Sequence, residues 1–93
     1  MISKSFIVKN TYGIHARPAR LIVETASKYN SQIYLSKNGE EIDAKSIMGI
    51  LMLEASKGSE LVLRINGEDE EVAMKDLENI FESITSIDGS SQL

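Results

Sequence analysis

Apolar and polar positions change period several times along these 93 residues, and each change predicts an element. Between Ile2 and Lys9, the residues Ile2, Phe6 and Val8 fall on one side at period two, the spacing of a half-buried strand. Asn10-Thr11-Tyr12-Gly13 interrupts it as a turn. From Ala16 the period becomes helical. Ala19, Ile22, Val23, Ala26 and Tyr29 share a face, Arg20, Glu24 and Lys28 lie off it, and Lys28 to Ser31 ends the helix. Alternation returns over Gln32 to Lys37, with Ile33 and Leu35 on one side; Asn38-Gly39 then predicts a tight hairpin into a short strand, Glu40 to Asp43. Ser46 to Leu53 reads as a brief helix closed by Lys57-Gly58. Glu60 to Ile65 is the clearest strand, with Leu61, Leu63 and Ile65 alternating against Val62 and Arg64. Asp69 predicts the cap of a last helix, with Glu70 and Glu71 at its positive end and an apolar stripe of Ala73, Leu77, Ile80, Phe81 and Ile84.

The resulting order is βαββαβα. Strands with one apolar face each, separated by amphipathic helices, predict a four-stranded antiparallel sheet covered on one face by three helices, an α+β open-faced sandwich. Residues 1–88 are expected to form a single domain. The polar end of the chain is expected to fray from Ser86, leaving 89–93 as a flexible tail.

Composition narrows the function classes. With no cysteine, disulfides, thiol chemistry and Cys-based zinc sites are excluded. The net charge of −4 argues against a generic nucleic-acid binder, which needs a surplus of Lys and Arg. That charge is uneven: residues 1–50 carry seven Lys/Arg against four Asp/Glu, residues 51–93 three against ten. The only histidine lies in the basic part. The start lacks the apolar core of a secretory signal and no stretch reaches membrane-spanning length, so a cytoplasmic protein without membrane insertion is expected.

The only histidine and the only proline stand together in GIHARPA, residues 13–19. With His15 as N-cap, Ala16, Arg17 and Pro18 form the first helical turn, where proline's missing N–H costs nothing. The N–H groups of Ala16 and Arg17 are then left without intrahelical acceptors and, with the helix dipole, make a small anion site. Arg17 adds a fork of donors suited to phosphate or carboxylate. An exposed imidazole nitrogen there is a nucleophile, and a phosphoryl group captured on it would meet fixed donors. The bland alternative is a capping or surface histidine. A metal site is not expected, since there is no second histidine and no cysteine. Hydrolysis is disfavoured because no motif positions a water or an acid. One nucleophile without machinery suggests a carrier, not an enzyme, and no cofactor is expected.

KSIMGILML, residues 45–53, is the second unusual stretch. Ser46 is a good N-cap, and the helix it starts is apolar nearly all round. Ile50 and Leu53 are assigned to the core. Ile47, Met48 and Leu51 are then partly exposed, with Met52 ambiguous; either they form an adaptable partner surface or all are core, and the pattern alone does not choose. A phosphate on Ser46 would be stabilised by the dipole and would place charge beside this surface.

These two motifs, within the βαββαβα order, resemble the HPr family, the histidine-containing phosphocarriers of the bacterial phosphoenolpyruvate-dependent sugar phosphotransferase system. The resemblance runs from about Ser5 to Phe81. It implies that His15 accepts a phosphoryl group on Nδ1 from phosphorylated enzyme I and donates it to enzyme IIA components. It further implies that Arg17 contacts the phosphate, Pro18 opens the helix, and Ile47, Met48 and Leu51 dock partners; Arg20 and Met52 are also expected to bind partners. Ser46 matches the family's regulatory serine, modified in many Gram-positive bacteria by an ATP-dependent kinase/phosphorylase; the seryl-phosphorylated form partners a transcription regulator. A monomer is expected. Tyr12 stands where small polar residues are common, Arg20 where Gram-positive members often have Thr, and GILML is similar to the nitrogen-related branch. The alternative to a sugar-system carrier is therefore a nitrogen-related or other regulatory relative that acts through protein–protein contacts.

Overall fold

The computed structural model describes residues 1–86. Its elements follow the predicted order: β1 (Ile2–Ile7), α1 (Ala16–Ala26), β2 (Gln32–Lys37), β3 (Glu40–Asp43), α2 (Ile47–Met52), β4 (Glu60–Asn66) and α3 (Glu70–Ile84). The four strands form one antiparallel sheet in the order β1-β4-β2-β3. The register pairs Ile2 with Ile65 and Phe6 with Leu61 on one side of β4, and Ile33 with Ile65 and Leu35 with Leu63 on the other. Since side chains alternate across a strand, this register sends Phe6, Ile33, Leu35, Leu61, Leu63 and Ile65 to one face, where all six are buried.

The helices cover that face. Ala19, Ile22 and Ala26 of α1 and Ala73, Leu77 and Phe81 of α3 are fully buried, and the Phe81 ring stacks on Phe6 at 4.9 Å between centroids. Met74, outside the stripe expected from the sequence, is also buried. The opposite face stays polar. There Arg64 lies over the Tyr34 ring at 4.7 Å and grips Glu41 through Nε and Nη2 at 2.8 and 2.6 Å, linking β4, β2 and β3. The hydrogen bonds from Arg64 hold the Glu41 carboxyl below its usual range.

Asp69 behaves differently from the sequence-based expectation. It stands at the N-cap of α3, but its side chain caps nothing there. Its carboxylate instead accepts the Ser31 hydroxyl and the amides of Asn30 and Ser31, the latter two at 2.8 and 3.0 Å, fastening the α1–β2 loop. Glu70 serves the helix start by accepting the Gly67 amide at 3.1 Å. A cap donor within its own turn was replaced by partners about 38 residues away in sequence.

The Ser31 hydroxyl, followed by the Asn30 amide, lowers the Asp69 carboxyl from its ordinary 3.8. A lowered value in the fold means that the bond stabilises fully above the unfolded value and is lost as pH falls through the folded one. Urea midpoints of the wild type are therefore expected to fall as pH drops below about 4. In Asp69→Asn that fall should be smaller; an equal fall in both would exclude Asp69 as a contributor.

Of the residues expected to fray, Ser86 alone is among those described; its hydroxyl donates to the Ser83 carbonyl at 3.0 Å. The expected tail, 89–93, and the end of the domain lie outside the described residues. Among the described residues, no helix is long and apolar enough to cross a membrane.

Candidate functional site

The site begins with how the chain leaves β1. The Lys9 amide donates to the Thr85 carbonyl at the end of α3, and the buried Asn10 closes a turn on Gly13. Gly13 N donates to the Asn10 carbonyl at 3.3 Å, and Asn10 Nδ2 donates to the Gly13 carbonyl at 2.9 Å. Gly13 has φ +63° and sits so close to the Ala55 carbonyl and Ser56 that a Cβ there would lie 2.9 Å from Ser56 Cα. Both conditions select glycine. The next residue, Ile14, is buried and its amide donates to the Ala55 carbonyl at 2.9 Å. The loop before α1 is thus clamped onto the segment that follows α2.

His15 comes next, at the N-cap of α1 with an extended backbone (φ −94°, ψ −165°). Its carbonyl accepts the first intrahelical bond, from Ala19 at 3.0 Å, while its side chain makes no capping bond. The amides of Ala16 and Arg17 precede that first bond and stay open, as expected. Pro18 fits the first turn. No acidic residue occupies that turn, so nothing there offsets the positive helix end. His15, Ala16 and Arg17 are exposed, and Arg17 has no ion-pair partner among the described residues. Arg20 differs: its Nε is 3.1 Å from Glu24 one turn on. The arrangement offers an accessible imidazole beside open amides and an unengaged guanidinium, a place for a small anion next to a nucleophile.

The α2 helix supplies the second group of expected residues. Ser46 is its N-cap, and its Oγ accepts the Gly49 amide at 3.1 Å. Ile50 and Leu53 are buried, while Met48 and Met52 are 66% and 68% exposed. Ile47 and Leu51 are each just over one-third exposed. These residues are therefore not all core, and the ambiguous Met52 is among the exposed ones. Gly49 lets the helix lie against β3, since a Cβ there would be 3.3 Å from Ile42 Cβ. Lys37 secures the other end by donating to the carbonyls of Leu53 and Glu54, at 3.2 and 2.7 Å. α1 packs against α2, which keeps the two groups in one region of the molecule.

Two features near His15 were not legible as part of the site. The clamp of Gly13 and Ile14 on Ala55 joins segments about forty residues apart, and only the glycine hinted at it. The other is Tyr12, whose exposed ring stands at 6.1 Å from the imidazole, nearly perpendicular to it.

Comparison with known proteins supplies the family. The family model described as the phosphorylation site of the PTS HPr component matches residues 2–83. The phosphocarrier protein HPr of Xylella fastidiosa strain 9a5c is 46% identical over 83 residues, which are 89% of this chain and 93% of that protein. HPr of Treponema pallidum is 43% identical over 89% of this chain and 94% of its own length. A crystal structure of HPr from Thermoanaerobacter tengcongensis superposes with a TM-score of 0.85 at 46% identity, covering 91% of this chain and 96% of that one. A match over nearly the whole fold, together with these relatives, shows that the chain belongs to the HPr family, the phosphocarrier proteins of the phosphotransferase system.

Proposed function

We propose that the protein carries a phosphoryl group on His15, taken from phosphorylated enzyme I and passed to enzyme IIA components during sugar uptake in the cytoplasm. The observation that carries this reading is an exposed imidazole at the N-cap of α1, with no capping bond of its own, next to the open amides of Ala16 and Arg17. The Nδ1 lone pair attacks phosphorus and an N–P bond forms. The bond from phosphorus to the donor atom of enzyme I breaks, and its electron pair returns to that atom; the Nε2 proton stays on the ring. Transfer onward is the reverse of this step, with the acceptor on enzyme IIA as nucleophile. The amides and Arg17 hold the phosphoryl oxygens, and Pro18 keeps the helix start in place. Ile47, Met48, Leu51 and Met52, with Arg20, form the docking surface for both partners, and the carrier works as a monomer without a cofactor. One nucleophile, with no sequence motif to position a water or an acid, supports a carrier over an enzyme, and the isolated protein is expected to turn over no substrate.

The test is chemical. Incubated with phosphoenolpyruvate and enzyme I, the chain should take up label that is lost in acid and kept in alkali, as a phosphoramidate is. Wild-type protein that stays unlabelled, or carries acid-stable label, would overturn the carrier reading.

A second reading is regulation at Ser46, supported by its place as the N-cap of α2 beside an exposed Met48. There a phosphate would be favoured by the helix end and would set charge against the apolar surface. A kinase/phosphorylase would add it, and a transcription regulator would read it. A deletion strain with normal sugar uptake and altered transcription would favour this role, as in a nitrogen-related or other regulatory relative; lost uptake would favour the carrier.

A further inference from the structure

Tyr12 is the most exposed aromatic side chain among the described residues, at 80%, and it contributes nothing to the core. Folding therefore gives no reason for a large ring at this position. Its backbone, however, is held. Tyr12 is a central residue of the Asn10–Gly13 turn, which is closed by two hydrogen bonds and anchored on one side at Thr85 and on the other at Ala55. The ring is thus presented by a fixed loop at one defined place. That place is beside His15: the ring centroids are 6.1 Å apart and the planes meet at 81°, within the range of edge-to-face aromatic pairs. The imidazole makes no capping bond to α1, and the Tyr12 ring stands nearly perpendicular to it.

We propose that Tyr12 is a positioning residue for phosphoryl transfer, holding the His15 imidazole in one orientation through this edge-to-face contact. The inference rests on the carrier reading above and deepens it. An imidazole on a helix N-cap with no bond of its own can rotate about two torsions, and in-line attack on phosphorus uses only a small part of that range. A perpendicular ring 6.1 Å away between centroids narrows the rotation and makes no hydrogen bond to the imidazole, so it orders the nucleophile without capping a ring nitrogen. A hydrogen-bonding side chain at the same position would compete for the nitrogen that must attack.

The experiment compares wild type, Tyr12→Phe and Tyr12→Ala. Each is labelled from phosphoenolpyruvate by an enzyme I that labels the wild type, with initial rates measured against the concentration of the carrier. Tyr12→Phe keeps the ring and should transfer within about twofold of wild type. Tyr12→Ala should lower kcat about two- to tenfold, the range worth of one aromatic pair, with KM changed less than twofold. The nuclear magnetic resonances of the two His15 ring protons, which need no phosphoryl donor, should move in Tyr12→Ala as the ring current is lost and stay close to wild type in Tyr12→Phe. An unchanged kcat or unmoved His15 resonances in Tyr12→Ala would overturn the assignment. So would a rise in KM alone, which would make Tyr12 a docking contact, or equal impairment in Tyr12→Phe, which would assign the hydroxyl. A wild-type chain that takes no label sinks the carrier reading itself, whereas a labelled wild type matched by Tyr12→Ala sinks only the role of Tyr12.

Discussion

His15→Ala is expected to abolish acid-labile labelling of the chain by enzyme I while leaving the fold as stable as before. The functional loss should be complete, because no other described residue places a nucleophile at the open end of α1. The stability change should stay within about 0.5 kcal/mol, since His15 is exposed and its side chain caps nothing, so alanine breaks no bond there. A urea titration and a labelling assay on the same preparation check both parts. Equal labelling of His15→Ala and wild type would refute His15 as the acceptor. An unfolded variant would refute the account of His15 as a residue without structural duty.

Gly13→Ala is expected to produce the largest loss of stability among the substitutions considered, about 2–4 kcal/mol. Two costs combine. The first is the left-handed backbone, φ +63°, which disfavours any residue bearing a Cβ. The second is contact, because the new methyl would meet the Ala55 carbonyl and Ser56 backbone, neither of which is a flexible side chain. Relief requires the loop to lift away from Ala55, and that would break the Ile14 amide bond and shift His15, two residues on. The urea midpoint should therefore drop, and the rate of labelling at His15 should fall in whatever fraction remains folded. A midpoint within about 0.5 kcal/mol of wild type would show that the Ala55 contact is not a constraint.

The contrast between these substitutions follows the division between local and long-range information. Strand and helix faces were legible because burial has a period. Leu61, Leu63 and Ile65 alternate, Ala19, Ile22 and Ala26 recur helically, and each set is buried as its spacing predicts. The His15 helix start was legible for a related reason: a proline in the first turn and a preceding glycine are local signals that need no distant partner. Around the helix at residues 47–52, Ile50 and Leu53 are core as assigned, but an all-apolar segment has too little period to say whether the rest are core as well. Packing against β3 and α1 decided that, leaving Met48 and Met52 exposed. Asp69 shows the limit from the other side. Its position matched a helix cap, yet Ser31 and Asn30 compete for the same carboxylate from a loop brought close by the fold.

By itself, then, the sequence determined the order of the elements, the sheet face that turns inward and the helix start on which His15 stands, because each depends on neighbours a few residues away. The tertiary structure alone decided the rest: that the loop before His15 is clamped to Ala55, that α2 leaves two methionines in solvent, and that Tyr12 stands edge-on to the imidazole. Those features arise where separate segments compete for the same space and the same hydrogen-bonding groups, and no period along the chain records the outcome of that competition.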